Sequence, residues 1–193
     1  MENIHEETIS IKSYNEMAKY YENYVDTKPW NAYYERPATL SLVPDDIKDK
    51  KILDAGCAGG WYTQYLLDYG ADVMAIDVNK NMVEITKKRI QNKCRVIQAD
   101  LNNKLDFIEN NTIDIILASL VLHYIKHLPN VFVELNRILK INGEIIFSIH
   151  HPLMEFTHFK RENYMAIELL EDEWTMGEEQ IKVEFYRRPL TEL

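Results

Sequence analysis

Three aspartates recur at equal spacing. Asp54, Asp77 and Asp100 stand 23 residues apart, and each closes a short apolar run. A carboxylate in such a place can accept hydrogen bonds from a pair of vicinal hydroxyls or from an exocyclic amine. The first opens the stretch Asp54-Ala55-Gly56-Cys57-Ala58-Gly59-Gly60, which holds three of the chain's six glycines. Six is about half the usual share for this length. A chain so sparing of glycine needs unusual backbone where it clusters them, and there main chain can pass close to a ligand. Histidine supplies a second chemistry. His123, His150 and His151 lie at or just beyond apolar runs, and imidazole takes or gives a proton near neutral pH. His123 and His127 also stand four apart, as a metal pair would, but no third ligand accompanies them and no metal site is expected.

The elements that must position these groups follow from periodicity. Residues 51–55 form a short strand that runs into the glycines. Residues 61–69 carry apolar side chains at 61, 65, 66 and 69, which is helical spacing, and Gly70 ends that helix. Residues 72–77 form a second strand. Asn79 caps the next helix, with Met82, Val83, Thr86 and Ile90 on one face. Residues 95–100 and 113–119 are strands, the latter apolar enough to be buried on both faces. A helix over 129–139 is stopped by Asn142-Gly143, and 144–149 is the fifth strand. This alternation predicts an α/β fold: a parallel sheet with helices on both faces. Right-handed crossovers then bring Asp54, Asp77, Asp100, Ser119 and His150 to one edge of it.

Two flanking regions differ. Tyr14, Met17, Tyr21 and Tyr24 share one face of an N-terminal helix, followed by Trp30, Tyr33 and Tyr34. That stripe reads as core packing or as an aromatic lid over the strand ends. After residue 150 the pattern breaks. Residues 168–173 are acidic, 175–177 read as a turn, and 180–186 alternate like a strand, with Ile181, Val183 and Phe185 on one side.

Composition sets the class. The 193 residues are 46% hydrophobic, enough for one domain with a sizeable core. The net charge of −9 argues against general nucleic-acid binding. Cys57 and Cys94 match no zinc or redox spacing, and two free thiols suit a reducing, cytoplasmic setting. The acidic N-terminus has no apolar leader, and no run approaches the ~20 apolar residues of a membrane span.

The glycine loop discriminates between ligands. In the dinucleotide frame G-x-G-x-x-G, Ala58 and Trp61 occupy two of the three glycine positions, which disfavours a nicotinamide oxidoreductase. In the frame D-x-G-x-G-x-G, used for S-adenosylmethionine, Asp54, Gly56 and Gly60 match and only Ala58 departs. A tight turn with no ligand would use the same glycines. Three ordered carboxylates on one edge favour a ligand: Asp77 for a ribose, and Asp100 for an adenine amine with Leu101 and Met82 as ring walls.

With those residues the chain resembles the class I S-adenosylmethionine-dependent methyltransferases, in the broad group that includes ubiquinone and menaquinone biosynthesis enzymes. Residues 14–21 resemble that group's Y-D-x-x-A-x-x-Y helix, with Asn15 at the Asp position. Residues 31–38, 119–124, 147–152 and 185–190 resemble segments of uncharacterised bacterial members. The resemblance implies a Rossmann-like sheet of order 3-2-1-4-5. It implies that Asp54, Gly56 and Ala58 line the methionine end of S-adenosyl-L-methionine, that Ala55, Cys57 and Gly60 also belong to the cofactor-binding loop, and that Tyr21 helps close over the cofactor's amino-acid end. Asp77 would hold the ribose, Val78, Met82, Asp100 and Leu101 would enclose the adenine, and Ser119 would sit beside the transferable methyl. His150 and His151, then His123, are the residues expected to position or deprotonate the acceptor.

The expected product is methyl transfer to a small-molecule acceptor. A catalytically silent cofactor-binding module is the alternative. Residues 1–48 would be the lid, 49–150 the cofactor-binding core and 151–193 a substrate-side segment. The resembled fold continues with one more helix and two strands, so the chain reads as C-terminally truncated. The edge of the fifth strand would then be closed in another way, such as by homodimerisation.

Overall fold

The computed structural model describes residues 8–21 and 24–193. Five strands, β1 (Lys51–Ala55), β2 (Asp72–Asp77), β3 (Arg95–Gln98), β4 (Ile113–Ser119) and β5 (Leu139–Ser148), form one parallel sheet of order β3-β2-β1-β4-β5. This is the Rossmann-like order that the family resemblance implies. The register pairs Ala55 with Ile76, Asp77 with Gln98 and Ser119 with Ser148. The carboxyl ends of all five strands therefore share one edge.

Alternation along the strands makes two cores. On one face Leu53, Ala55, Ile76, Ile116 and Ala118 meet Leu128, Val131, Leu135 and Ile138 of the helix Leu128–Ile138. On the other, Ile52, Val73, Ile115 and Leu117 meet Tyr62 and Leu66 of the helix Trp61–Asp68. Successive strand side chains point to opposite faces, so residues 115–118 of β4, covered on both, are all apolar. The helix Lys80–Arg89 is capped by Asn79, whose side chain accepts from the amides of Asn81 (2.8 Å) and Met82 (3.2 Å). Lys87, Lys88 and Arg89 fill its last turn, where cations suit the helix dipole.

Three sequence expectations are corrected. β3 ends at Gln98, so Asp100 lies two residues beyond the strand. β5 begins at Leu139, not 144: Asn142, at φ +67°, and Gly143 form an irregularity inside the strand, and Leu139 still pairs with Ile113. The acidic stretch is a strand, β6 (Glu168–Met176), antiparallel to β7 (Glu179–Arg187) in a separate two-stranded sheet. Leu170 and Met176 of β6, with Ile181, Val183 and Phe185 of β7, pack on Met17 of the N-terminal helix Ser10–Tyr21. Tyr24, expected on the same stripe, is 66% exposed, with its amide donating to the Tyr20 carbonyl (2.8 Å). A π-helical turn, Trp30–Glu35, and a short helix, Arg36–Leu40, lead on to β1. Among the described residues no helix is long and apolar enough to cross a membrane.

Candidate functional site at the carboxyl edge of the sheet

A cavity of about 810 Å³ runs along the carboxyl ends of the strands, where open α/β sheets bind ligands. Its walls include Tyr21, Gly56, Cys57, Ala58, Asp77, Val78, Asp100, Leu101, Ser119, His123, His150 and His151. Residues from the N-terminal segment and from β6, among them Lys28, Trp30, Tyr34 and Trp174, complete it.

The loop after β1 has the backbone that its composition suggests. Gly56 has φ +81°, and a Cβ there would meet Val121 at 2.5 Å. Ala58, the departure from the glycine frame, also takes a positive φ of +46°. That conformation is held at both ends of the residue. Its amide donates to Asp77 Oδ2 (2.9 Å), and its carbonyl accepts from Thr86 Oγ1 (2.7 Å). Asp77 Oδ1 accepts from the Asn79 amide (2.8 Å) as well, so one carboxylate ties the loop to the start of the next helix. Burial raises its pKa to about 6.

Four residues expected at the ligand lie behind the wall. Asp54 is 1% exposed and accepts from Thr63 Oγ1 at 2.5 Å, which draws it under the loop into the helix Trp61–Asp68. Ala55 and Met82 are fully buried, and Gly60 is spent on the helix start, where a Cβ would meet Thr86 at 2.7 Å. These residues hold the wall in place and do not face the cavity. Burial also raises Asp54, to about 7. Its unfolded value is near 4, so the folded protein binds the extra proton between about pH 4 and 7. Ionised Asp54 therefore costs stability above that window. The stability of the wild type relative to Asp54→Asn should rise as pH falls from 8 to 5, read by denaturant titration at each pH. A difference independent of pH would contradict this.

Asp100 holds its own turn. Oδ1 accepts from the amide and side chain of Asn102 (2.8 and 2.9 Å), and Oδ2 accepts from Thr8 Oγ1 (2.6 Å). Tyr21, Tyr14 and Tyr124 form a chain of phenols with hydroxyls 3.4 Å apart.

Sequence reasoning did not single out Glu35 as a functional group. It ends the π-helical turn, and its carboxylate accepts from Ser119 Oγ (2.7 Å), Ser148 Oγ (2.7 Å), Thr39 Oγ1 (2.8 Å) and Tyr62 Oη (2.9 Å). Three of these donors converge on Oε1 and Tyr62 alone takes Oε2. Glu35 thereby clamps the N-terminal segment to the ends of β4 and β5. Its neighbour Arg36 is 6% exposed, with its guanidinium 4.3 Å over the Trp61 ring and donating to the Asp26 carbonyl (2.8 Å).

The histidines gather at the other end. His123 and His150 stack with centroids 4.0 Å apart and planes 15° off parallel. His150 Nδ1 lies 2.9 Å from Glu155 Oε1, a buried carboxylate that the sequence did not mark. His123 is 1% exposed, and neither ring nitrogen has a partner. Burial, with His150 and Arg188 nearby, holds its pKa well below the usual histidine value, so it is neutral. His151 is exposed and lies just before the helix Pro152–His158. Among the described residues no three His, Cys, Asp or Glu side chains come together as a metal site.

Residues 53–147 match a family described as a methyltransferase domain. An uncharacterised protein of Haemophilus influenzae is 34% identical over 130 residues, covering 64% of this chain and 50% of its own length. A malonyl-[acyl-carrier protein] O-methyltransferase of Legionella pneumophila is 30% identical over 123 residues, covering 62% of this chain and 41% of its own. The chain thus spans half or less of the length of these curated relatives. Among solved structures, a Listeria monocytogenes protein assigned as an S-adenosylmethionine-dependent methyltransferase superposes with a TM-score of 0.69. The two are 25% identical, and the match covers 81% of this chain and 78% of that one.

Proposed function

We propose, from a chain that belongs to the class I S-adenosylmethionine-dependent methyltransferases by its domain and its fold, that it moves a methyl group from S-adenosylmethionine to a small-molecule acceptor. The observation that carries this is the union of three features in one cavity wall: the loop 56–59, the Asp77 carboxylate and the Asp100 carboxylate. Their chemistry fits the cofactor. Asp77 spends two of about four acceptor sites on backbone amides and keeps two for ribose hydroxyls. Asp100 would take the adenine amine, with Val78 and Leu101 as the apolar ring walls. Gly56, Cys57 and Ala58 would line the methionine end, and Tyr21 would close over it. Ser119 would stand beside the methyl. Asp54, Ala55, Gly60 and Met82 would support this surface from behind.

When bound, the cofactor supplies an electrophilic methyl on a sulfonium. The protein's own work is to orient the acceptor in line and to exclude water. Glu35 keeps the N-terminal segment over the strand ends, which supports its reading as a lid. Trp30, Tyr34, Met154 and Trp174 offer apolar walls to the acceptor, and the histidines offer polar ones. Two free thiols, Cys57 and Cys94, support a reducing cytoplasm as the setting.

Titration calorimetry with S-adenosylmethionine, S-adenosylhomocysteine and NAD tests the reading. Binding of the first two and not of NAD is expected. Binding of neither of the first two would overturn it.

A further inference from the structure

We infer that His150 and Glu155 act together as the base that deprotonates the acceptor, so the acceptor is methylated on an oxygen or nitrogen that carries a proton. This rests on the methyltransferase reading above and names the substrate class of the same site.

The geometry fixes one imidazole and leaves one of its nitrogens for a ligand. Glu155, 4% exposed in the helix Pro152–His158, engages Nδ1 of His150 at 2.9 Å. That contact selects the tautomer with the proton on Nδ1 and the lone pair on Nε2. The ring is then held by aromatic neighbours: His123 stacked at 4.0 Å, Phe185 edge-on at 4.9 Å and Trp174 at 6.1 Å. His150 lines the cavity two residues beyond Ser148, which pairs with Ser119. The free nitrogen thus belongs to the end of the cavity where the methyl would lie.

A second observation points to a ligand here. His123 also lines the cavity, is 1% exposed, and has both ring nitrogens without a partner. An imidazole so buried requires a partner, and a polar group entering beside His150 supplies one. The charged and titratable groups around the pair are Glu155 from one helix, His123 and Tyr124 after β4, and Arg188 after β7. Arg188, 3% exposed, donates to the Ile125 carbonyl and has an unpartnered Nε. Only Glu155 among them is an anion able to balance an imidazolium.

The step balances. The acceptor's O–H or N–H bond breaks and its proton passes to His150 Nε2. The freed electron pair forms the new bond to the methyl carbon as the carbon–sulfur bond breaks, and that bond's electron pair stays on sulfur. The imidazolium, stabilised by Glu155, returns its proton to solvent. Glu155 is a positioning residue, since it acts through His150.

Two measurements test this. Nitrogen-15 spectra of the ligand-free protein should show neutral His150 protonated on Nδ1, and Glu155→Leu should move the proton to Nε2. A wild-type ring protonated on Nε2 when neutral would overturn the inference without any turnover being needed. The second uses catechol, phenol and benzylamine as acceptor probes, with release of S-adenosylhomocysteine followed. With any probe that reacts, His150→Asn should slow methyl transfer about 100-fold or more and Glu155→Leu about 10-fold. Both variants should keep wild-type affinity for S-adenosylmethionine by calorimetry. Unchanged turnover in both overturns the base, whereas a wild type that does not bind S-adenosylmethionine overturns the proposed function instead.

Discussion

Asp77→Ala is expected to lower the affinity for S-adenosylmethionine by about 100-fold or more. The carboxylate has two duties. It holds the amides of Ala58 and Asn79, at 2.9 and 2.8 Å, and through the first it keeps Ala58 at a positive φ. In the proposed complex it also accepts from the ribose. A hydrogen bond to a charged group is worth about 1.5–3 kcal/mol, so two lost contacts amount to about 3–6 kcal/mol. The left-handed alanine, costly by itself, then loses one of its two restraints. Asp100→Ala should cost less, about 10-fold, because that carboxylate organises only its own turn and Thr8. Calorimetry on both variants checks the order, and a loss under about fivefold for Asp77→Ala would remove it from the binding site. The wild type should also bind more weakly as pH falls from 7.5 to 5. Burial puts the Asp77 carboxyl at about 6, and the protonated group accepts less well.

The elements that the sequence made legible are those whose side chains repeat a simple environment. β4 is buried on both faces over residues 115–118 and reads there as an apolar run. Asn79 announces its helix because a cap is a local device. β6 escaped because Glu168 and Asp172 share the inward side with Leu170 and Met176 while Leu169 faces outward beside Glu171 and Glu173, so no apolar alternation shows. Asn142-Gly143 looks like a helix stop yet serves as an irregularity in β5, since both uses need a positive φ. Ala58 reads as a defect in the glycine frame, and only the fold shows the two hydrogen bonds that tolerate it. Glu35 was illegible for a different reason. Its partners Ser119 and Ser148 lie 84 and 113 residues away, and no local spacing encodes a carboxylate shared between a lid and two strand ends. Glu155 meets His150 five residues away, across a strand-to-helix turn, a spacing that belongs to neither element's period.

Arg187→Met should destabilise the protein by about 3–5 kcal/mol, because buried carbonyls lose a charged hydrogen-bond donor at about 1–3 kcal/mol each. Arg187 is fully buried at the end of β7. Its Nη1 donates to the Tyr164 carbonyl (2.9 Å) and its Nη2 to the carbonyls of Asn163 (3.0 Å) and Ala166 (2.7 Å). Nη2 and Nε both reach Glu168 Oε2, at 2.7 and 3.1 Å. Methionine fills much of the volume but satisfies none of these acceptors: the Tyr164 and Ala166 carbonyls lose this donor, the Asn163 carbonyl keeps only the amide of Ala166 (3.3 Å), and Glu168 keeps only Arg161, on Oε1. Lysine keeps the charge but cannot fork, and Arg187→Lys should recover only part of the loss. Denaturant unfolding measures both, and a loss under about 1 kcal/mol for the methionine variant would contradict the assignment. The effect should extend to the cavity. Glu168 and Arg187 are paired at one end of the β6–β7 hairpin, and that hairpin carries Trp174 and Phe185 to the ring of His150. A loosened hairpin frees the imidazole that Glu155 and His123 would otherwise hold. Arg187→Met should therefore slow methyl transfer more than it weakens S-adenosylmethionine binding, whose loop and carboxylates belong to the parallel sheet.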